Sequence, residues 1–80
     1  MILVEVKVPV LKDSWDARID EQETVEEVIK GLVNGLAKRE GKALDIDKFI
    51  LVWLERHWIL SKNKTLIQYD VQDGDTLMLI

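Results

Sequence analysis

The candidate catalytic or metal-binding side chains in this chain are carboxylates and one histidine, and thiol chemistry is excluded because its 80 residues include no cysteine. Asp13, Asp16 and Asp20 lie close together in sequence, as do Asp73 and Asp75, so each group could form a paired-carboxylate site. Neither group has the spacing of a Ca²⁺-binding loop. Outward positions on a strand and turn formation explain these residues more simply.

The single histidine, His57, falls in a predicted turn. One histidine without cysteine does not make a metal cluster. The sequence also has no glycine-rich phosphate loop and no nucleophile with a matching base. We therefore expect a protein that is not an enzyme and that has no cofactor, no metal and no small-molecule substrate.

The composition predicts one globular domain, residues 1–80. The chain is 48% hydrophobic and 32% charged, which is too apolar for disorder. Its 11 basic and 15 acidic residues give a net charge of -4. The longest basic cluster is only Lys62–Lys64 with an asparagine between, so we expect no nucleic-acid binding.

Nothing in the sequence indicates a membrane or secretory segment. The opening MILVEVKVPVLKD has charges within its apolar run and no basic start, unlike a signal peptide. No apolar run approaches the roughly 20 residues that span a bilayer. We expect a cytoplasmic protein that does not insert into membranes.

Two alternating stretches near the start predict a β-hairpin. In residues 2–8 the apolar side chains recur at every second position, and the turn at residues 11–13 precedes a second alternating run. The side chains predicted to face inward are Ile2, Val4, Val6 and Val8 in the first run, and Trp15, Ala17 and Ile19 in the second.

A helix should follow the hairpin. Thr24 followed by Glu27 forms a capping box, and Gly41 is a plausible end. The predicted apolar stripe consists of Val25, Val28, Ile29, Leu32 and Leu36. Gly31 and Gly35 lie inside this helix, and we interpret Gly35 as a site of close packing against a sheet.

The second half of the chain predicts three further strands. A continuous apolar run at residues 49–54 has the form of a central strand, and residues 58–60 suggest a short one. Residues 65–70 suggest a helical turn or a loop, residues 72–75 a polar turn, and residues 76–80 the last strand. The order indicates an α+β fold with a mixed sheet and a helix on one face.

The last segment, TLIQYDVQDGDTLMLI, resembles the closing segment of ubiquitin-like domains. It has a Thr-Leu opening, a Tyr four residues after the Thr, a polar turn and then Thr-Leu-x-Leu. Thr24, Val25 and Val28 match the family's helix start, and its second strand is matched by Trp15, Ala17 and Ile19. The segment LSKNKTLIQYDVQDGDTLMLI is similar to the C-terminal pattern of the YukD/EsaB family of bacterial ubiquitin-like proteins, which is associated with type VII secretion. The length of the chain also resembles that of this family.

The resemblance implies a ubiquitin-like β-grasp: a mixed five-stranded sheet in the order 2-1-5-3-4, with one helix packed on one face. One helix covers only one face of such a sheet. If Leu51, Trp53, Leu77 and Leu79 face the helix, their neighbours face the opposite side. The neighbours that would then form an apolar patch are Val52, Leu54, Met78 and Ile80, with Ile50 at the edge.

We interpret this patch as a protein-interaction surface, because a contiguous exposed apolar patch often marks one. Leu54 and Ile80 fall on positions that match the hydrophobic recognition patch of ubiquitin. Two other interpretations stay open: strand three could be shifted by one residue, which would exchange its faces, or the connection at residues 42–48 or self-association could cover the patch.

The three tryptophans are expected to differ in role. Trp15 and Trp53 occupy inward positions and should belong to the core. Trp58 begins the short strand and should be partly exposed, so it is the one tryptophan that could add to a binding surface.

The resemblance implies a non-catalytic interaction protein, an accessory or regulatory component of type VII secretion that binds a machinery subunit or itself. One alternative is a protein modifier or sulfur carrier, but that chemistry needs a C-terminal Gly-Gly tail, which this sequence lacks. Another alternative is the N-terminal ubiquitin-like domain of a larger membrane subunit of the secretion system.

Overall fold

The first two strands form the hairpin that the alternating pattern predicts. In the computed structural model, which describes residues 1–80, β1 (Ile2–Val8) pairs antiparallel with β2 (Asp13–Ile19) along its whole length. Pro9 opens a single 3-10 turn, Pro9–Leu11, where its missing N–H is tolerated. Lys12 then adopts a left-handed conformation with φ of 51°, which turns the chain back into β2.

Helix α1 (Val25–Glu40) begins at the predicted capping box. The Glu27 amide donates to the Thr24 hydroxyl at 3.2 Å, and the Thr24 amide donates to the Glu27 carboxylate at 2.9 Å. Gly41 ends the helix with φ of 70°, a conformation that favours glycine. Both ends of the helix are therefore determined by residues that the sequence pattern identifies.

The remaining elements complete a five-stranded sheet. They are β3 (Leu51–Trp53), β4 (Trp58–Ile59), the short helix α2 (Leu66–Tyr69) and β5 (Thr76–Leu79). The strand order is β2-β1-β5-β3-β4, as the family resemblance implies. Strand β5 runs parallel to β1 and antiparallel to β3, so the last strand in sequence lies at the centre of the sheet.

One apolar core lies between the sheet and α1. It contains 16 buried residues, and none of them is polar. Burial alternates along β1 and β5, where Val4, Val6, Leu77 and Leu79 are at most 1% exposed. These strands therefore turn one face to the core and the other away from it, as period-two sequences require.

Two details of helix α1 differ from expectation. Val33 is fully buried although it is not in the predicted stripe, and Leu32 is only partly buried. The other four predicted residues, Val25, Val28, Ile29 and Leu36, are buried as expected. The interpretation of Gly35 is wrong: a methyl group at Gly31 or Gly35 would meet nothing within 4 Å. Both glycines lie on the exposed surface of α1 instead of packing on the sheet.

Strand β3 is also shorter than the apolar run at residues 49–54. Regular pairing covers Leu51–Trp53, and further backbone hydrogen bonds extend it, two between Ile50 and Ile80 and one from Leu54 to Thr76. Phe49 ends the 3-10 turn of Ile46–Lys48 and packs against the core, which accounts for its apolar character.

Because both glycines have open space around them, replacing either with alanine should stabilise the protein. We expect Gly31→Ala and Gly35→Ala each to raise the free energy of unfolding by about 1 kcal/mol, the usual difference in helix propensity. Chemical denaturation measures this directly. A loss of stability would show that the helix surface is more crowded than the structure indicates.

Adjacent positions on β5 should respond very differently to truncation. Leu77→Ala removes a fully buried side chain and should cost about 2–5 kcal/mol of unfolding free energy. Met78→Ala changes a side chain on the opposite face and should cost about 1 kcal/mol or less. If denaturant unfolding showed equal losses of unfolding free energy for the two variants, this would contradict the placement of Leu77 toward the core and Met78 on the opposite face.

Candidate protein-interaction face

The sheet has one face that α1 does not cover. On β3 and β5 the helix-facing side chains are buried, and their neighbours in sequence are partly exposed. The structure therefore confirms, for both strands, which side chains face the helix and which face away from it. The residues on the uncovered side are the five predicted from the sequence, here called the open-face patch: Ile50, Val52, Leu54, Met78 and Ile80.

The strand register brings these five side chains together. Val52 lies directly opposite Met78. Ile50 and Ile80 exchange two backbone hydrogen bonds of 2.7 and 3.0 Å, so their side chains are also neighbours. The Leu54 amide donates to the Thr76 carbonyl at 3.0 Å, which places Leu54 one pair further along the same face. A one-residue shift of β3, the alternative interpretation, is not what the structure has.

One further residue extends the open-face patch. Ile59 on β4 lies opposite Val52, shares its face and is 67% exposed. By comparison, Ile80 is 44% exposed. The sequence reasoning identified the short strand at residues 58–60 but assigned no faces to it. Pairing that strand with β3 across the turn at residues 55–57 would have been the signal for Ile59.

Polar and charged side chains border the open-face patch. Lys7 on β1 lies beside Met78, and Glu5 lies beside Thr76. The Thr76 amide donates to a Glu55 carboxylate oxygen at 2.8 Å. Burial pushes the pKa of Glu55 up, but hydrogen bonds from Thr76 and from its own backbone, with Lys7 nearby, outweigh this and lower it. An apolar centre with a polar rim is the usual anatomy of a protein interface.

The three tryptophans lie away from the open-face patch. Trp53 is buried, and its indole N–H donates to Asp75 at 3.1 Å, so it is a core residue as expected. Trp15 is only partly buried and packs against the core, with the Arg39 guanidinium 5.4 Å from its ring centre. Trp58 is 49% exposed, as expected, but pairs with the helix-facing Trp53 and so lies on the other side of the sheet.

The aspartates and the histidine have structural positions. Asp73 accepts from the Leu3 amide at 2.7 Å and Asp20 from the Gln22 amide at 3.0 Å, so both stabilise turns or strand ends. Asp13 accepts from the Ser14 amide at 2.8 Å and also pairs with Arg39. His57 is exposed in the turn before β4, with φ of 57°.

The connection at residues 42–48 does not place its large apolar side chains in the open-face patch. Its two large apolar side chains, Leu44 and Ile46, pack against the buried core instead.

None of the helices has the length and apolar character that crossing a bilayer would require.

The amino-acid sequence and the fold can each be compared with known proteins. Residues 3–79 match the family model described as YukD, a protein of the WXG100 protein secretion system. The chain belongs to the YukD family. It is therefore a ubiquitin-like module tied to type VII secretion. No curated protein matches it.

Solved structures show that this YukD-family protein has a ubiquitin-like fold. The N-terminal ubiquitin-like domain of the 4931431F19Rik protein superposes with a TM-score of 0.79 at 24% identity, covering 99% of this chain and 72% of that one. The ubiquitin-like domain of an Arabidopsis thaliana protein superposes with a TM-score of 0.73 at 18% identity, covering 99% of this chain and 74% of that one. At these identities the likeness concerns the fold alone.

The lowered pKa of Glu55 predicts a pH-dependent contribution to the stability of this YukD-family protein. A carboxyl whose pKa is lower in the folded state stabilises the fold above the unfolded pKa, about 4.3 for glutamate, and loses that effect as pH falls through the folded value. The stability difference between the wild type and Glu55→Gln should therefore shrink between neutral pH and pH about 3. A difference that stays constant in urea unfolding across this range would contradict the assignment.

Proposed function

We propose that this YukD-family protein is a non-catalytic interaction module that acts in the cytoplasm as an accessory or regulatory component of its type VII secretion system. It binds a subunit of the secretion machinery through the open-face patch. The contact is made by burying the apolar centre of that patch, with charged residues around it selecting the orientation.

The observation that carries this proposal is the sidedness of the sheet. Helix α1 covers one face, and the other face bears the open-face patch and Ile59, which lie outside the buried core and are exposed or partly exposed. A single exposed apolar residue is ordinary, but six apolar side chains grouped on neighbouring strands are not. Binding a partner would remove this apolar surface from water.

Leu54 is the residue best placed to test the contact. It lies where β3 ends, beside Thr76 and next in sequence to Glu55, so it joins the apolar patch to its polar rim. Its side chain is partly exposed, so an arginine at this position can reach water without disturbing the core.

A non-catalytic role is supported by what the polar residues do. Asp73 and Asp75 hold the turn before β5 through bonds to Leu3, Gln72 and Trp53. Tyr69 accepts from the Ser61 amide at 2.8 Å and so fixes the loop after β4. These groups therefore have roles within the fold.

Leu54→Arg should abolish binding to the machinery subunit while leaving the fold intact. We expect the free energy of unfolding to change by about 1 kcal/mol or less, as for other partly exposed positions. Affinity for the purified cytosolic portions of the secretion subunits should fall at least about tenfold, because a charge replaces a buried apolar contact. Isothermal titration calorimetry measures the affinity, and circular dichroism checks the fold.

Ile67→Arg is the matched control. Ile67 is 54% exposed on helix α2, so the same chemical change is made on a different surface. This variant should bind as the wild type does. Equal loss of binding in both variants, or no loss in either, would contradict an interaction through the open-face patch.

A further inference from the structure

Strand β2 leaves a long sheet edge without a partner. The two edge strands of the sheet are β2 and β4, but β4 has 2 residues whereas β2 has 7. Proteins usually shorten or cover such edges, because their free backbone groups attract another strand. A seven-residue edge is long enough to pair with a further strand.

The free backbone groups on this edge can be identified from β1. The Leu3 carbonyl accepts from Gly74 at 2.8 Å, and the Glu5 amide donates to the Asp75 carbonyl at 3.0 Å, so both residues point toward β5. Alternate residues of a strand point to opposite edges, so Val4 points its backbone toward β2.

The same alternation applies to β2. Ala17, the partner of Val4, directs its backbone groups toward β1. Asp16 and Arg18 therefore direct their amides and carbonyls to the free edge. Ser14 follows the same alternation: its amide donates to the Asp13 side chain at 2.8 Å and not to β1.

The side chains on this edge carry opposite charges two residues apart. Asp16 and Arg18 are both exposed and lie on the open face of the sheet. Asp16 lies directly opposite Glu5 on β1, a pairing of like charges that is unfavourable within the monomer. A positive charge on the free side of Asp16 would offset this repulsion.

We propose that the β2 edge pairs with the β2 edge of a second copy of this chain, antiparallel, about a two-fold axis at Ala17. In this register Asp16 of each copy lies opposite Arg18 of the other. Each such pair exchanges two backbone hydrogen bonds and places an opposite-charge pair on the open face. On the helix side Trp15 faces Ile19 of the second copy, and Ala17 faces its own counterpart.

Charge selects this register over its neighbours. An axis at Asp16 would place two Asp16 carboxylates against each other, and an axis at Trp15 would place Arg18 against Lys12. Both bring like charges together. Of these three registers, the one with its axis at Ala17 is the one that brings opposite charges together.

The paired copies would form one continuous sheet with both helices on the same side. The two open-face patches would then point in the same direction, since a two-fold axis between paired edges is perpendicular to the sheet. The dimer edge is β2, whereas the open-face patch lies on β5, β3 and β4, so the two surfaces do not compete. A dimer could thus engage two copies of a subunit at once.

Charge reversal at the edge tests this proposal. Sedimentation equilibrium of the wild type from about 10 µM to about 1 mM should show a monomer–dimer equilibrium. Asp16→Arg and Arg18→Asp each bring like charges together and should weaken dimerisation about tenfold. The double variant D16R/R18D exchanges the charges and should restore it.

Amide hydrogen exchange provides the second readout. Protection of the Asp16 and Arg18 amides should rise with protein concentration, while the Trp15 and Ala17 amides, already paired with β1, stay protected throughout. Leu54→Arg is the control and should dimerise as the wild type does, which separates this edge from the open-face patch. A monomer at all concentrations, failure of the double variant to restore dimerisation, or loss of dimer in Leu54→Arg would overturn the proposal.

Discussion

Strand β5 is bonded along both of its edges, and the arrangement of the other elements depends on this. It has four residues, Thr76–Leu79, yet it joins β1 on one side to β3 on the other. Leu77 and Leu79 are fully buried beneath α1, so β5 also anchors the core. Because side chains alternate along a strand, burying these two leucines necessarily turns Met78 and Ile80 to the opposite face. The apolar core and the open-face patch are therefore two consequences of one strand's placement.

Local patterns predicted the elements well, since alternation and capping act over a few residues. The capping box at Thr24 and the facing of β1 and β5 are examples that the structure confirms. The strand order was not accessible from periodicity and came from resemblance to ubiquitin-like domains, because pairing between distant segments leaves no local signal. Ile59 was missed for a different reason: no faces were assigned to the short strand at residues 58–60, although its pairing with β3 across the turn at residues 55–57 would have indicated them. Gly35 was misread because a glycine in a helix signals small volume but does not tell which surface it faces.

The surfaces of the sheet divide into two kinds. The face over β5, β3 and β4 is apolar at its centre and charged at its rim, which suits a contact made by excluding water. The edge at β2 offers backbone groups and alternating charges, which suits pairing between strands. These surfaces are separated by β1, so a ubiquitin-like module of this size can use one for a partner and the other for a second copy.

The central claim is that the face opposite α1 is the one that meets the secretion machinery. Methyl-labelled protein, observed by NMR during titration with a purified cytosolic portion of a secretion subunit, tests it most directly. The account predicts that the methyl signals of Ile50, Leu54, Met78 and Ile80 shift, with Ile59 among them, while those of Val28 and Val33 on α1 stay in place. Shifts confined to α1, or a titration that leaves the open-face patch unchanged with every subunit, would contradict it.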